Sequence, residues 1–541
     1  MHIRPLWIVA LLATACASGP DPEPAGAPRW FTGLGDLHHA IATRSPEAQR
    51  WFDQGLRLVY AFMHDEARRA FAECQRLDPE CAMAYWGIAY THGPNINAPR
   101  DPAEERKALA ALARGQALAA AANERDRAYL EALAVRHASD PKADGKALDA
   151  AFATAMQALA GRFPDDLDAQ TLAAEAQMTL RPWDLWTRSG EPHPGTLAIR
   201  DQLEAVLARD PRHIGALHYH IHATEASPDP GRGLRLSAQL AELAPDAAHL
   251  VHMPSHLTMR LGRYAEVIRS NQAAVAADAR YLQGRKAEGA YAMYAAHNAH
   301  FLYAGAWQSG RSELALDAAR QVGELISYDM AQAMPMLEGF TPTWFFALAR
   351  FGRWQQILAA PPPPAGLRYT TAIWRHARGL AYLGHGSVRE AEQELAALTP
   401  LLPGIPDETI PGVNSQRRLA ELARLTLRAR IEERKGDSSA AVATLREAVT
   451  LEDQLVYEEP PPWYHPARQM LGRALLAAGD AAGAASAFRA DLEHHPENGW
   501  SLHGLARALR AQGQAVEAAA VEARFRTAWA AADFDLEQMR Y

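Results

Sequence analysis

Pairs of histidines separated by four residues recur at a fixed interval in the middle of this chain. His218 and His222 form one pair, and His252 and His256 form a second pair that begins 34 residues later. Residues i and i+4 lie on the same face of an α-helix, so the two imidazoles of each pair can bind one ion. The spacing therefore predicts transition-metal chemistry that rests on histidine nitrogen.

More candidate ligands lie close to these pairs. Glu225 follows the first pair by three residues, and His249 precedes the second pair by three. The predicted metal ligands are His218, His222, His252, His256, His297, His300, Glu225 and His249. Eight candidates exceed the four ligands of a structural zinc ion. We therefore expect either two ions close together or a site in which some of these groups hold the ligands or the substrate in place.

The donor types narrow the choice of metal. The chain has 22 histidines but only three cysteines, too few for a thiolate cage. Imidazole and carboxylate suit divalent zinc, copper, iron or nickel. Export, predicted below, favours copper or zinc as the cofactor, with iron as a further candidate. An ion with an open position would activate water or oxygen, so the sequence leaves both a catalytic and a non-catalytic role open.

The elements that must position these residues are helices of a repeat. An apolar residue, a turn glycine and an alanine recur 34 residues apart, first as Leu471, Gly479 and Ala484 and then as Leu505, Gly513 and Ala518. The same template fits Trp51, Gly55, Ala67, Phe71 and Pro79. This pattern resembles the tetratricopeptide repeat, a helix-turn-helix of 34 residues whose neighbours stack into a continuous core. The resemblance implies an all-α, right-handed solenoid with insertions.

In the frame set by Gly262, the histidines fall at positions two, five and nine of successive first helices. In tetratricopeptide repeat proteins that face lines the concave groove, so the resemblance implies that the imidazoles converge there. The segments HMPSHLTMRLGRY and HNAHFLYAGA are also similar to large histidine-bearing bacterial tetratricopeptide lipoproteins. The alternative is that a duplicated unit keeps its histidines for interhelical hydrogen bonds, or for a groove that binds a protein or an acidic peptide.

The amino terminus predicts export. Residues 1–15 are typical of a signal peptide, with Arg4 before an apolar run too short to span a bilayer. The sequence Ala13-Thr14-Ala15-Cys16 resembles the lipobox of bacterial lipoproteins, which implies lipidation of Cys16 and a tether over residues 16–44. The resemblance and Ala17 favour the outer membrane, on the periplasmic side, with the lipid as the one membrane anchor. Secretion after plain cleavage near Ala15 is the alternative.

Composition limits the remaining choices. With 48% hydrophobic and 22% charged residues, the 541-residue chain should fold as several units, and a formal charge of -8 argues against a nucleic acid partner. We expect amino-terminal repeats with an insertion at 45–200, histidine-bearing units at 201–330 and carboxyl-terminal units at 331–541. The predicted function is an exported metalloprotein, and the sequence leaves open whether it is a metal-dependent enzyme. The alternatives are a periplasmic scaffold for protein or peptide binding, and a protein for metal storage or delivery.

Overall fold

The computed structural model describes residues 28–284, 286–287, 289–407 and 413–536, and the regular elements of these residues are helices. Within this part of the chain, β-pairing is limited to two isolated bridges, Asn95 with Ala98 and Trp186 with Pro192. The prediction of an all-α repeat solenoid with insertions is confirmed. The predicted signal peptide and Cys16 lie outside the described residues.

The amino-terminal helices form hairpins in which each helix contacts the next. They are α1 (Pro46–Tyr60), α2 (His64–Leu77), α3 (Ala82–Thr91), α4 (Pro102–Leu118), α5 (Glu124–Ala134), α6 (Gly145–Arg162), α7 (Leu167–Thr179) and α8 (Thr196–Arg209), with a 3-10 turn at Ala119–Ala121. Gly55 of α1 explains how closely α1 and α2 pack, because an added Cβ would lie 2.5 Å from the ring of Phe71. The glycine and the phenylalanine of the repeat template therefore act as a packing pair.

The middle of the chain carries the histidines. Its helices are α9 (Ile214–Thr224), α10 (Pro230–Ser237), α11 (Leu240–Leu243), α12 (Ala248–His252), α13 (Pro254–Arg260), α14 (Tyr264–Leu282), α15 (Gly289–Gln308), α16 (Ser312–Leu325) and α17 (Tyr328–Ala333), followed by a 3-10 turn at Pro335–Gly339. Pro254 lacks a backbone N–H and separates α12 from α13.

The carboxyl-terminal units continue the stack. They comprise α18 (Thr343–Arg350), α19 (Trp354–Ala359), α20 (Arg368–Gly384), α21 (Val388–Leu398), α22 (Gln416–Arg434), α23 (Ser438–Glu452), α24 (Ala467–Ala477), α25 (Ala481–His494), α26 (Gly499–Ala511) and α27 (Ala515–Ala528), with a 3-10 turn at Thr399–Gly404. The alternate helices α20, α22, α24 and α26 contact one another in sequence. They are the first helices of successive units.

The turns between paired helices have the backbone conformation that a turn glycine in the template predicts. The turn glycines have φ between 64 and 87, a range that favours glycine: Gly262, Gly310, Gly352, Gly386, Gly436, Gly479 and Gly513. In the first unit the equivalent position, five residues before Ala67, is Phe62, whose φ is 55. This unit thus accepts a strained backbone at a bulky residue, which the site below explains.

The concave side of the solenoid is filled by the chain itself. The link between α23 and α24, residues 453–466, crosses the groove and is called here the crossing segment. Glu459 Oε2 lies 3.1 Å from Nδ1 of His256, and the Tyr464 hydroxyl contacts Nε2 of His300. The crossing segment therefore occupies the groove in front of the histidines.

The carboxyl-terminal units also fold back onto the middle of the chain. The Tyr264 hydroxyl donates to the carbonyl of Pro496 at 2.8 Å, and the Trp500 indole N–H donates to the carbonyl of Trp307 at 2.8 Å. Arg188, in the insertion before α8, reaches Asp453 at 2.7 Å. These contacts close the superhelix around the histidines.

Residues 29–44, assigned above to the tether, pack against the repeats. Phe31, Leu34 and Ile41 are buried, and the backbone N–H of Gly33 donates to Asp246 at 2.9 Å. Because these apolar side chains are buried against the repeats, residues 29–44 are part of the folded body and not of a flexible tether. None of the described helices combines the length and apolar character needed to cross a bilayer.

Candidate metal centre

Six imidazoles meet where three units of the repeat adjoin. They are His218 and His222 of α9, His249 and His252 of α12, His256 of α13 and His297 of α15. Every residue of α9 is buried, so its histidines face protein on all sides. We call His218, His222 and His249 the first triad, and His252, His256 and His297 the second triad.

In the first triad, the Nε2 atoms converge. His218 Nε2 lies 3.1 Å from the Nε2 atoms of both His222 and His249. One ligand atom from each residue lies within 4.8 Å of the other two. Phe62 packs on all three rings, with centroid distances of 4.6, 6.2 and 5.4 Å to His218, His222 and His249. The strained turn at Phe62 therefore positions an aromatic wall for this triad.

The second triad repeats the arrangement. His252 Nε2 and His256 Nε2 lie 2.9 Å apart, and His297 completes a group whose ligand atoms are within 4.8 Å of one another. Phe301, one turn after His297 on α15, packs on the three rings at centroid distances of 4.5 to 4.9 Å. Each triad thus has three nitrogen ligands and one aromatic wall.

The two triads are neighbours joined by one carboxylate. The His222 and His256 ring centroids are 6.2 Å apart, and those of His249 and His252 are 5.9 Å apart. Glu225 places Oε1 3.1 Å from Nδ1 of His222 and Oε2 2.8 Å from Nδ1 of His256. It accepts from His222 and forms an ion pair with His256, whose Nδ1 N–H donates to Glu459. Glu225 therefore orients His222 directly, as carboxylates commonly do for metal-bound histidine, and lies against one imidazole of each triad.

The partners of the Nδ1 atoms fix the tautomers of the rings. His218 Nδ1 lies 2.7 Å from the carbonyl of Tyr60, in the last turn of α1, where helix carbonyls have no intrahelical partner. His252 Nδ1 lies 2.7 Å from Oδ1 of Asn271, whose amide is oriented because its Nδ2 donates to a backbone carbonyl. Since these oxygens accept, each Nδ1 carries the proton, and each Nε2 presents a lone pair.

Two lone pairs about 3 Å apart cannot hydrogen-bond to each other and require a proton or a metal ion between them. Protonation of four of the six rings is opposed by the surroundings. Burial and the neighbouring imidazoles hold the pKa of His218, His249, His252 and His297 well below the usual value of 6.5. The first triad is therefore better suited to a metal ion than to a proton, whereas in the second triad a metal ion would replace a proton held by His256.

Glu225 and His256 form the charged part of the site. Burial lowers the pKa of His256, but Glu225 and Glu459 outweigh it and raise that pKa to about 9. Burial likewise raises the pKa of Glu225, yet His256 and His222 outweigh it and lower the pKa to about 2. The centre thus contains a permanent negative charge that would compensate bound cations.

Both triads border a cavity of about 220 Å³, called here the histidine chamber. His222, His249, His256 and His297 form one side of it, and its other lining is largely apolar and aromatic, with Met293, Tyr294, Phe340 and Tyr464 among the residues. Among the described residues that line it, there is no lysine or arginine. A ligand in this chamber would reach both triads.

Trp183 and Pro462 stand between the histidine chamber and a larger cleft of about 670 Å³, since both residues border each space. Trp183 has φ 60, outside the usual range for a bulky residue, and its ring centroid lies 5.2 Å from that of His222. The insertion before α8, which carries Trp183, therefore borders the chamber.

The predicted ligands fall into three groups. The four histidines of the two pairs lie in the triads together with His249 and His297, as the two-ion hypothesis expects. Glu225 lies between the Nδ1 atoms of His222 and His256. His300 lies outside both triads: its Nε2 contacts the hydroxyls of Thr343, at 3.3 Å, and Tyr464. Burial lowers its pKa to about 3.

Four further residues of the site are not among the ligands that the sequence predicts. Tyr60, Phe62, Asn271 and Glu459 reach the histidines from distant parts of the chain. For Phe62 a signal exists, because a bulky residue stands where the template has a turn glycine. The other three could be found only from the tertiary structure.

A further buried group supports Tyr60. Asp168 accepts from the Tyr60 hydroxyl at 2.7 Å and lies 2.8 Å from Nδ1 of His39 and 3.3 Å from Nε2 of His213. The two imidazoles overcome burial and hold the pKa of Asp168 well below its usual value. This ionised carboxylate fixes Tyr60, whose carbonyl orients His218.

No protein-family model matches the chain, and no curated protein matches it. Solved structures of similar helical architecture include the Cut9–Hcn1 hetero-tetramer of the APC/C, with 11% identity, 86% of this chain and 78% of that chain covered, and a TM-score of 0.32. The TPR domain of P58(IPK) has 12% identity, coverage of 86% and 98%, and a TM-score of 0.22. Yeast Tom70 has 10% identity, coverage of 86% and 96%, and a TM-score of 0.30.

Proposed function

We propose that this protein is a metalloprotein with a dinuclear centre, in which each triad binds one divalent transition-metal ion. The observation that carries the proposal is the convergence of imidazole nitrogens in two groups of three, with the Nδ1 atoms of His218, His222, His252 and His256 beside acceptors. A groove that kept histidines for interhelical hydrogen bonds would not direct these nitrogens at one another.

The geometry favours a reactive centre over a structural one. A structural zinc ion takes four protein ligands, whereas three ligands leave a position for water or substrate. Both triads border the histidine chamber, so that position is accessible to a small molecule. Bound ions would supply Lewis acidity, and copper would add redox chemistry. Storage or delivery is less well supported, because it calls for exchangeable ligands rather than a buried, oriented set.

All-nitrogen triads suit copper or zinc better than iron, which in comparable sites usually takes a carboxylate ligand. Glu225 is engaged with the Nδ1 atoms of two histidines and is therefore an orienting group in this proposal. Export and lipidation at Cys16 remain predictions, and they place the centre where copper and zinc are the metals to test first.

Metal analysis of the purified protein tests the proposal. After reconstitution with copper or zinc, we expect about two ions per chain. His218→Ala and His252→Ala should each reduce this to one ion or fewer. His376→Ala is the matched control, since His376 is also buried at repeat position five but hydrogen-bonds to the carbonyl of Ala423 and stands outside both triads. A protein that binds no metal, or binds equally in all variants, contradicts the proposal.

Protein or peptide binding is the second candidate function, and the helical-repeat fold is compatible with it. The crossing segment already occupies the groove in front of the histidines. A peptide partner would therefore have to use another surface or displace this segment. Retention of a partner by the metal-free His218→Ala variant would favour this function over the first.

A further inference from the structure

The histidine chamber has the dimensions of a site for a small ligand. Its volume of about 220 Å³ is below the roughly 300 to 1,000 Å³ of pockets that bind drug-sized molecules. A molecule with a single ring and short substituents fills such a space. The triads form one side of the chamber, so the residues on its other sides decide which small molecules fit.

Away from the triads, the charged groups of the chamber are already engaged. The described residues of its lining include no lysine or arginine, and their carboxyl groups are those of Glu458 and Glu459. Glu459 accepts from Nδ1 of His256 at 3.1 Å, and Glu458 accepts from the side-chain and backbone N–H groups of Asn414 at 2.9 and 3.1 Å. A charged group on the ligand would therefore lose water without gaining a cation or an unengaged carboxylate as its partner.

Five aromatic side chains line the chamber: Trp183, Tyr294, Phe340, Tyr369 and Tyr464. The ring centroid of Tyr294 lies 4.9 Å from that of His249 in the first triad, and that of Phe340 lies 5.3 Å from that of His300. Aromatic rings attract one another in offset and edge-to-face arrangements, so this lining favours a ligand that is itself aromatic. A ring bound beside Tyr294 would bring a short substituent within reach of the first triad.

We infer that the ligand of the chamber is a small aromatic molecule with one short polar group and no charge on the rest of the ring. The polar group reaches the ions of the triads, and this part of the inference rests on the proposed function. The aromatic side chains cover the ring. Simple phenols with uncharged substituents are the class of molecule that fits, and the bound ions would in addition repel an organic cation.

Calorimetric titration of the full-length protein, both zinc-loaded and metal-free, tests the inference with p-cresol and three analogues. In p-hydroxybenzoate and p-hydroxybenzylamine a charged group replaces the methyl group or is attached to it, and methylcyclohexanol is the saturated analogue. In the zinc-loaded protein, p-cresol should bind about tenfold more tightly than each charged analogue and several times more tightly than methylcyclohexanol. Equal or tighter binding of any analogue overturns the inference, and so does the lack of any binding of p-cresol.

A lysine introduced into the lining should reverse the selectivity. Met336 borders the chamber and is 40% exposed, whereas Met334 is 46% exposed and is not part of the lining. Met336→Lys should bind p-hydroxybenzoate about tenfold more tightly than wild type, because the ammonium group can pair with the carboxylate. Met334→Lys is the matched control and should leave that affinity unchanged.

Loss of one ring from the lining is the second variant. Phe340 lines the chamber and belongs to neither triad, so Phe340→Leu should bind p-cresol several times more weakly with unchanged metal content. Phe163→Leu is the control, because Phe163 is also partly buried but lies outside the lining. If Met336→Lys and Phe340→Leu both bind as their controls do, the chamber is not the site and the inference fails.

Metal content separates this inference from the proposed function. If elemental analysis finds no ions and the metal-free protein still prefers p-cresol in a manner that depends on Phe340, the proposed function fails and the selectivity of the chamber is supported. If the triads hold their ions and p-cresol does not bind, this inference fails and the proposed function is unaffected.

Discussion

At the scale of single residues, Glu225 is the side chain on which both triads depend. It is buried and ionised, and its two oxygens hold the Nδ1 atoms of His222 and His256. Because it lies against one imidazole of each triad, the proposed function predicts that its loss affects both ions together. This joint effect distinguishes it from any one of the six histidines.

Glu225→Gln keeps the size of the side chain but removes its charge. We expect metal affinity to fall by about 10- to 100-fold, because the amide cannot accept from both imidazoles and stabilise the cations. Competition with a chromophoric chelator measures this. Glu204→Gln is the control, since Glu204 lies 3.1 Å from His220, which belongs to neither triad. Similar affinity in the two variants would argue against the assigned role.

Buried neutral histidines also predict the pH dependence of the metal-free protein. Burial lowers the pKa of His300 to about 3 in the folded state, against an ordinary value of 6.5. Below pH 6.5 the His300 imidazole therefore binds a proton in the unfolded chain but not in the folded chain, so acid favours unfolding. At pH 5 this residue lowers the free energy of unfolding by about 2 kcal/mol. Urea midpoints at pH 7, 6 and 5 should fall in the wild type and fall less in His300→Gln.

The residue scale also shows what the sequence can and cannot predict. The pairing of His218 with His222 and of His252 with His256 follows from helical geometry alone. The separation of His300 from His297 does not follow from it, because it is decided by Tyr464, which arrives from 164 residues further along the chain. Local spacing therefore predicts candidate ligands, and tertiary contacts select among them.

At the scale of the elements, the turn between paired helices is the position where the repeat requires a left-handed backbone conformation. Gly479 has φ 87 with open space where a Cβ would be, and Gly161 lies inside α6 with equally open space. The two sites differ in backbone conformation and not in crowding. Alanine substitutions at these two glycines therefore form a matched pair that measures the free-energy cost of the left-handed backbone in the turn.

Gly479→Ala should destabilise the protein by about 1 kcal/mol, since the left-handed backbone is unfavourable for alanine. Gly161→Ala should instead stabilise it by about 0.5 to 1 kcal/mol, because alanine is the better helix former. Chemical denaturation of both variants measures the two changes. Changes of the same sign would show that backbone conformation does not control these sites.

The helical repeat itself is predictable because its information is local. The recurrence of leucine, glycine and alanine at 34 residues fixes the hairpins and the face on which the histidines lie. The paths of the insertions are not predictable in this way, since residues 29–44 and 453–466 carry no repeat signal. Their positions depend on the surfaces that the finished solenoid offers them.

At the scale of the whole molecule, the superhelix is closed around the two histidine triads. Arg188 joins the amino-terminal insertion to the start of the crossing segment through Asp453 and the carbonyls of Glu452 and Leu455. This contact is half exposed, so its direct contribution to stability should be below about 1 kcal/mol. Its importance lies in holding the segment that covers the chamber.

Arg188→Ala should therefore release bound metal to a chelator several times faster than wild type while the free energy of unfolding changes little. The physical reason is that an ion must pass the crossing segment to leave the chamber. Arg209→Ala is the control, because Arg209 makes a similarly exposed ion pair with Asp165 that is remote from this closure. Equal release rates in the three proteins would contradict a gating role for the contact.

The crossing segment limits how the number of repeat units in this chain can change during evolution. Repeat proteins commonly lengthen or shorten by duplication or loss of whole units. Here Glu459, between α23 and α24, must reach back to His256 on α13, and one unit more or less between α13 and α23 would displace it by roughly 10 Å. The number of units in this part of the array is therefore fixed, and it could vary by point substitution but not by gaining or losing a hairpin.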